Sequence, residues 1–304
     1  MRASKLPCNG GEGRGMSGQC RAQPRSGEAP GLWSRHSRIM ACRSLVFVSH
    51  RFDMPALFGP SVVPDRSVVP FAEVVSISFE TTVEAAERLM PRFFKPAGPP
   101  VVTVTRIDYQ DVDYLGGRGY REIVVSVGAL HGDNHRAAGF APVMWVTEPG
   151  ALISGREFMG FAKLPATMEA IEREGDSCRF RASEYDAVLM EGRVSGLHPL
   201  SDDSLARVNQ SAEAVRTYGW KLIPGDGETP DVDHPMMNVM RWNYSRAWSG
   251  DGDIRFHRPD ARAAPLSAHV VEALADVPVV ASRRAFVAEG RAEIDRTATR
   301  RLHG

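Results

Sequence analysis

The chain has 304 residues, 43% hydrophobic and 24% charged, with a formal net charge of zero and an isoelectric point near 7.1. This composition supports a sizeable core in one large or two ordinary domains. The charge balance excludes the basic footprint of a nucleic-acid binder, and no apolar run reaches the roughly 20 residues of a membrane-spanning helix.

Residues 1–53 are rich in Gly, Ser and Arg, poor in acids, and carry three of the four cysteines, Cys8, Cys20 and Cys42. Their spacing does not suit a metal site, and "MRASKLPCNGGEGRG" lacks the apolar core of a secretory signal. "GGEGRG" has no strand before it and no helix after it, so it is not a dinucleotide site. The segment reads as a disordered extension, or as the product of too early a start codon with Met54 as the true first residue. Cys178, alone in the remainder, fits a reducing, cytoplasmic setting.

From residue 54 to 304 the chain reads as a single, strand-rich domain. "EVVSISFE" (73–80) alternates at period two. A short helix follows in "TTVEAAERLMP", with Thr81 and Glu84 at capping-box spacing and Pro91 as its stop. "VVTVTRIDY" (101–109) and "REIVVSVGAL" (121–130) are strands joined through "YLGGRG". "HGDNH" places His131 and His135 four apart, but its Gly, Asp and Asn mark a hairpin tip rather than a metal site. "GFAPVMWVTE" (139–148) and "ALISGREF" (151–158) read as a hairpin across Pro149-Gly150. "CRFRAS" (178–183) and "YDAVLMEGRVSG" (185–196) form another strand pair. A helix is expected over 201–216. Strands follow in "YGWKLIP", "MMNVMRWNYSRAWSG" and "DIRFH", then a short helix in "SAHVVEALA" and a last strand in "RRAFVAEG". "GDGETPDVDH" and "SGDGD" lack the complete calcium-loop pattern and read as solvated loops. The fold class is therefore α+β, strand-dominated, with a closed antiparallel barrel or cone-like sheet and a few peripheral helices.

Only four of the 37 basic residues are lysines: Lys5, Lys95, Lys163 and Lys221. Lysine, unlike arginine, can act as a neutral amine. Lys163 stands in "SGREFMGFAKLPA", among apolar neighbours. By pattern alone such a residue lays its stem on apolar surface and keeps its ammonium in water.

A resemblance gives it a second role. "GREFMGFAKLPA" resembles the Gly-Arg-Glu…Lys signature of the acetoacetate decarboxylase family, whose lysine forms a Schiff base. "GYREIVVSV" (119–127) resembles the family's Gly-Tyr-x-Glu strand, with Glu122 at the active-site glutamate. "WKLIPGDG" and "SRAWSGDGDIRFHRPDARAAPLSAHVVEALADVPV" resemble its later sections, in order and in register. Two departures stand out. Leu164 follows the lysine where the decarboxylases carry a second lysine, and the arginine expected near Ala72 is absent.

The resemblance implies a carbon–carbon lyase acting on a small keto acid without a cofactor or metal. Decarboxylation of an acetoacetate-like 3-oxo acid leads. An aldolase-dehydratase using pyruvate-type substrates and a non-catalytic protein retaining the pocket are the alternatives. It also implies a homo-oligomer. The catalytic candidates are Lys163 and Glu122, the latter a proton shuttle. Without the family, Glu122 reads equally as a rim residue paired with Arg121 or Arg118. Arg156, Met144, Phe158 and Phe161 are the substrate-binding candidates, with Trp145 as a further wall. A free lysine is only about one part in a thousand neutral at pH 7.4. With Leu164 beside it, Lys163 depends on apolar burial for its free amine, and Met is expected to be tolerated in its place.

Overall fold

Fourteen strands and four helices follow one another in the computed structural model, which describes residues 63–132 and 134–303. In chain order they are β1 (Arg66–Glu80), α1 (Val83–Arg88), β2 (Phe94–Pro96), β3 (Val101–Val112), β4 (Arg118–His131) and β5 (Asn134–Val146). Next come α2 (Pro149–Ser154), β6 (Lys163–Pro165), β7 (Thr167–Met168), β8 (Glu172–Glu174), β9 (Ser177–Glu184) and β10 (Ala187–Pro199). The last are α3 (Asp202–Ala212), β11 (Val215–Ile223), β12 (Val232–Phe256), α4 (Ala268–Ala275), β13 (Ala281–Ser282) and β14 (Arg284–Arg301). The strand-dominated class expected from the sequence holds. The extension over 1–53 lies outside the described residues, which all fall within one compact unit.

The main sheet runs β11-β5-β4-β3-β1-β14-β12-β10-β9-β7. β11 pairs with β12 antiparallel and with β5 in parallel, so the pairings from β5 through β4, β3, β1, β14 and β12 return to β5 by way of β11. β5–β6 is a second parallel pair. The sheet is therefore mixed at the point that carries the lysine.

Period-two alternation divides the strands between two faces. Along β4, Ile123, Val125 and Val127 enter the larger core with Val75, Val104, Trp145 and Val287, covered by Val271 and Leu274 of α4. Tyr120 and Val124 turn to the other face, with Tyr109, Ala72 and Trp242.

Several boundaries differ from the sequence reading. α1 is capped by Thr82, whose Oγ1 accepts from Ala85 N at 3.2 Å, and not by Thr81. Thr81 N still belongs to the strand edge, donating to Pro100 O. α3 stops at Ala212 rather than running to 216, because residues from Val215 onward pair with β12. "SGDGD" is not a loop: Ser249–Asp253 lies inside the 25-residue β12, held by β10 on one side and β14 on the other. Two-sided pairing overrides the turn preference of Gly and Asp there.

Residues 151–158 carry the largest correction. They do not form a strand. α2 occupies Pro149–Ser154, with Glu148 as N-cap, and continues into a π-helical turn over Gly155–Met159. Pro149 sits at the first helical turn, where its missing N–H costs nothing.

Candidate active site

Lys163 opens β6, and its register against β5 sets Met144 opposite Lys163 and Trp145 opposite Leu164. Lys163 and Met144 thus share one face, while Leu164 packs with Trp145 on the larger core. Trp145 is fully buried there, donating Nε1–H to Ser267 Oγ at 3.0 Å. The expectation that it walls the lysine pocket fails for this reason: it is on the opposite side of its strand.

Glu122 lies on the same face of β4 as Tyr120. Nζ of Lys163 donates to its Oε2 at 2.6 Å, with the two residues only 6% and 5% exposed. The rim pairing with Arg121 or Arg118 does not occur. Arg121 meets Asp108 at 3.3 Å, and Arg118 donates to Leu115 O.

The π turn shapes the space beside the lysine. A Cβ on Gly155 would lie 2.6 Å from Lys163 Cδ and 2.7 Å from Cε, so only glycine lets the lysine stem pass. Phe161 N donates to Gly155 O at 3.0 Å and closes the turn. Buried Asn238 of β12 donates Nδ2–H to Met159 O at 2.9 Å and fixes it from across the sheet. Gly160 takes φ 71°, a left-handed conformation that ends the turn. Arg156 and Glu157 therefore do not alternate as strand residues. Exposed Arg156 donates Nη1–H to Lys163 O at 3.0 Å, which places it on the lysine backbone rather than at Nζ.

Met144 and Phe161 are buried in one cluster with Met159 and Ile294, and Phe158 packs against it. Three predicted substrate-binding residues thus come together. Tyrosines make up the part that sequence reasoning missed. The Tyr120 ring centroid lies 5.9 Å from Lys163 Nζ and 4.6 Å from the Tyr109 ring. Burial, reinforced by the charge of Glu122, holds the Tyr109 and Tyr120 phenols well above their ordinary range. Burial pushes Tyr114 up to about 12. All three stay neutral and able to donate at neutral pH. Tyr120 stood next to the glutamate motif in the sequence, but nothing local linked it to Tyr109 and Tyr114. Arg296 of β14, also missed, is buried with its guanidinium 4.8 Å from the Tyr114 ring.

A short contact between a buried lysine and a buried carboxylate allows one proton to pass directly between them. The pair can exist as ammonium–carboxylate or as amine–acid. The second form supplies a nucleophile and a general acid together. No group of residues able to hold a metal ion occurs among the described residues. No helix among them is long and apolar enough to cross a membrane.

A family model described as acetoacetate decarboxylase matches residues 53–291. No curated protein gives a significant match to the sequence. Among solved structures, an acetoacetate decarboxylase superposes with a TM-score of 0.68 at 16% identity, over 83% of this chain and 95% of that one. The acetoacetate decarboxylase of Legionella pneumophila gives 0.65 at 19% identity, over 81% and 92%. The enduracididine biosynthesis enzyme MppR, complexed with the condensation product of pyruvate and imidazole 4-carboxaldehyde, gives 0.61 at 14% identity, over 84% and 97%. At such identities these likenesses concern the fold.

Proposed function

Because this chain belongs to the acetoacetate decarboxylase family, we propose that it is a carbon–carbon lyase acting on a small keto acid through a Schiff base on Lys163. The observation that carries this reading is the buried 2.6 Å contact between Lys163 Nζ and Glu122 Oε2.

With a 3-oxo acid, the leading substrate class, the free amine of Lys163 adds to the ketone carbon. Loss of water gives a protonated imine. The bond to the carboxylate then breaks, its electron pair moves toward the imine nitrogen, and CO₂ leaves with an enamine behind. Glu122 supplies the proton that the enamine carbon takes up. Water hydrolyses the imine to release the ketone and the lysine. Met144, Phe158 and Phe161 give the site its apolar walls and keep bulk water from it. Arg156 serves by holding the Lys163 carbonyl.

A second reading has support of its own in the fold shared with MppR, whose ligand is a condensation product of pyruvate. There the imine forms on a 2-oxo acid. Glu122 removes a proton from the adjacent carbon, the enamine adds to an aldehyde, the resulting β-hydroxy adduct loses water, and hydrolysis of the imine frees the product and the lysine. Both readings include a single domain over 54–304, the ring of strand pairings closed as a barrel around the lysine, no cofactor, and a cytoplasmic homo-oligomer.

Borohydride trapping separates them. Incubation with acetoacetate or with pyruvate, reduction, and peptide mass analysis should show an adduct on Lys163. Release of CO₂ from acetoacetate supports the first reading; condensation of pyruvate with an aldehyde supports the second. No adduct with any keto acid would leave a small-molecule binding protein.

A further inference from the structure

The buried polar residues with no part so far in the chemistry include Asn238 of β12, which is 1% exposed. Its Nδ2–H donates to Met159 O at 2.9 Å. Its Oδ1 accepts from Thr299 Oγ1 of β14 at 3.0 Å. Both ends of the amide are thus used. With Oδ1 taken by the threonine hydroxyl, the donor end faces Met159; the reversed amide would set two oxygens against each other.

Met159 O needs that donor. It ends the π turn over Gly155–Met159, and the last carbonyls of a helical segment have no partner within it. The chain beyond it has no slack. A Cβ on Gly219 of β11 would lie 2.5 Å from Gly160 O. Lys163 N donates to Phe161 O at 2.9 Å, and Phe161 N donates back to Gly155 O. The lysine backbone is thereby tied to the end of the turn, while its stem lies against Gly155 at the start. Met159 and Phe161 also share the buried cluster with Met144. A shift at Met159 O is therefore a shift of the lysine and of its apolar walls together. Single π turns recur at functional sites, and this one is held from a strand 79 positions away.

We infer that Asn238 and Thr299 are positioning residues for Lys163. The amide, oriented by the hydroxyl, holds the π turn, and the turn holds Nζ at Glu122. This role rests on the Schiff-base reading of Lys163. Loss of either residue leaves the amine present but displaced, so it slows addition to the ketone without weakening the binding of the keto acid.

The test is the rate of borohydride-trapped adduct on the full chain, with acetoacetate and in parallel with pyruvate, each over a range of concentrations. Asn238→Leu, similar in volume but without the donor, should cut the limiting rate by about 10²-fold. Thr299→Val, which leaves Oδ1 without its donor, should cut it by about tenfold. Thr299→Ser keeps the hydroxyl and should restore it. The half-saturating concentration should stay at the parent's value in each. Thr299 is only half-buried, so the valine and serine variants decide the matter even if Asn238→Leu does not fold. Ser267→Ala is the control. It removes the acceptor of Trp145 Nε1 on the opposite face, and should lower the melting temperature with the limiting rate unchanged. An unchanged limiting rate in Thr299→Val, no recovery in Thr299→Ser, a loss confined to half-saturation, or an equal loss in Ser267→Ala would overturn the assignment and leave the Schiff base standing. No adduct in the parent with either keto acid would overturn the Schiff-base reading itself, and the assignment with it.

Discussion

The side chain of Lys163 passes over Gly155 so closely that a single methyl group on that glycine would lie 2.6 Å from Lys163 Cδ. The glycine, in the first turn of a π-helical segment, and the lysine, at the head of β6, define the channel through which Nζ reaches Glu122. Gly155→Ala should therefore push the lysine off its position while leaving the buried cores intact. A displacement of about 1 Å can cost roughly 10²-fold in rate. The rate of borohydride-trappable adduct should fall by that order, with a melting temperature close to the parent's. An unchanged trapping rate would mean that the lysine does not work from this position.

Substitutions of the lysine itself separate charge from chemistry. Lys163→Arg and Lys163→Met should both abolish adduct formation, because neither supplies a neutral primary amine. Their stabilities are the more informative readout. The sequence suggested that Met would be tolerated, but the structure places Glu122 in the same buried space. Met would strand that carboxylate, at a cost of about 3 kcal/mol. The double variant Lys163→Met/Glu122→Leu, with both polar partners replaced, should recover most of the loss in urea unfolding. A Met single variant as stable as the parent would show that the pair is not formed in solution.

Glu122→Gln retains shape and hydrogen-bonding capacity but loses the transferable proton. Turnover on a competent keto acid should drop by about 10²–10⁴-fold. Far-ultraviolet circular dichroism should be unchanged. Full activity in this variant would assign the proton transfer to another group, with the neighbouring tyrosines first in line.

The tyrosine cluster predicts an alkaline limit to stability. Burial raises Tyr109 and Tyr120 well above the ordinary phenol value of 10.0, and raises Tyr114 to about 12. The folded state therefore holds these protons more tightly than the unfolded chain does. Their contribution is complete below pH 10, where the unfolded phenols begin to ionise, and is lost as pH rises toward and through 12. Melting temperature should decline across that window, and phenolate absorbance of these residues should appear only as the protein unfolds. Ready ionisation near pH 10 with the fold intact would contradict the buried arrangement.

Removal of residues 1–53 should leave melting temperature and adduct formation unchanged, since the segment has no periodic apolar face to dock and the family match begins at residue 53. A marked loss of melting temperature in the shortened protein would refute this.

The strands that could be read from sequence are those whose signal is local. Period-two alternation located β1, and the apolar, β-branched runs marked β3, β4 and the β9–β10 strand pair. The lysine stood out by residue type, and the glutamate by its place in a familiar motif. What sequence could not decide was anything set by a distant partner. "ALISGREF" alternates too weakly to choose between strand and helix. The choice falls to contacts made elsewhere: Phe161 N on Gly155 O and Asn238 on Met159 O, the second reaching across 79 positions. The face of Trp145 depends on which strand lies beside β5. The partner of Lys163 is likewise absent from its own neighbourhood, where Leu164 turns to the opposite face; it comes from a strand 41 positions earlier. Sequence supplies the chemical groups and their local periods. Only the closing of the chain brings a buried cation and a buried carboxylate together, since the interior leaves neither with water to fall back on.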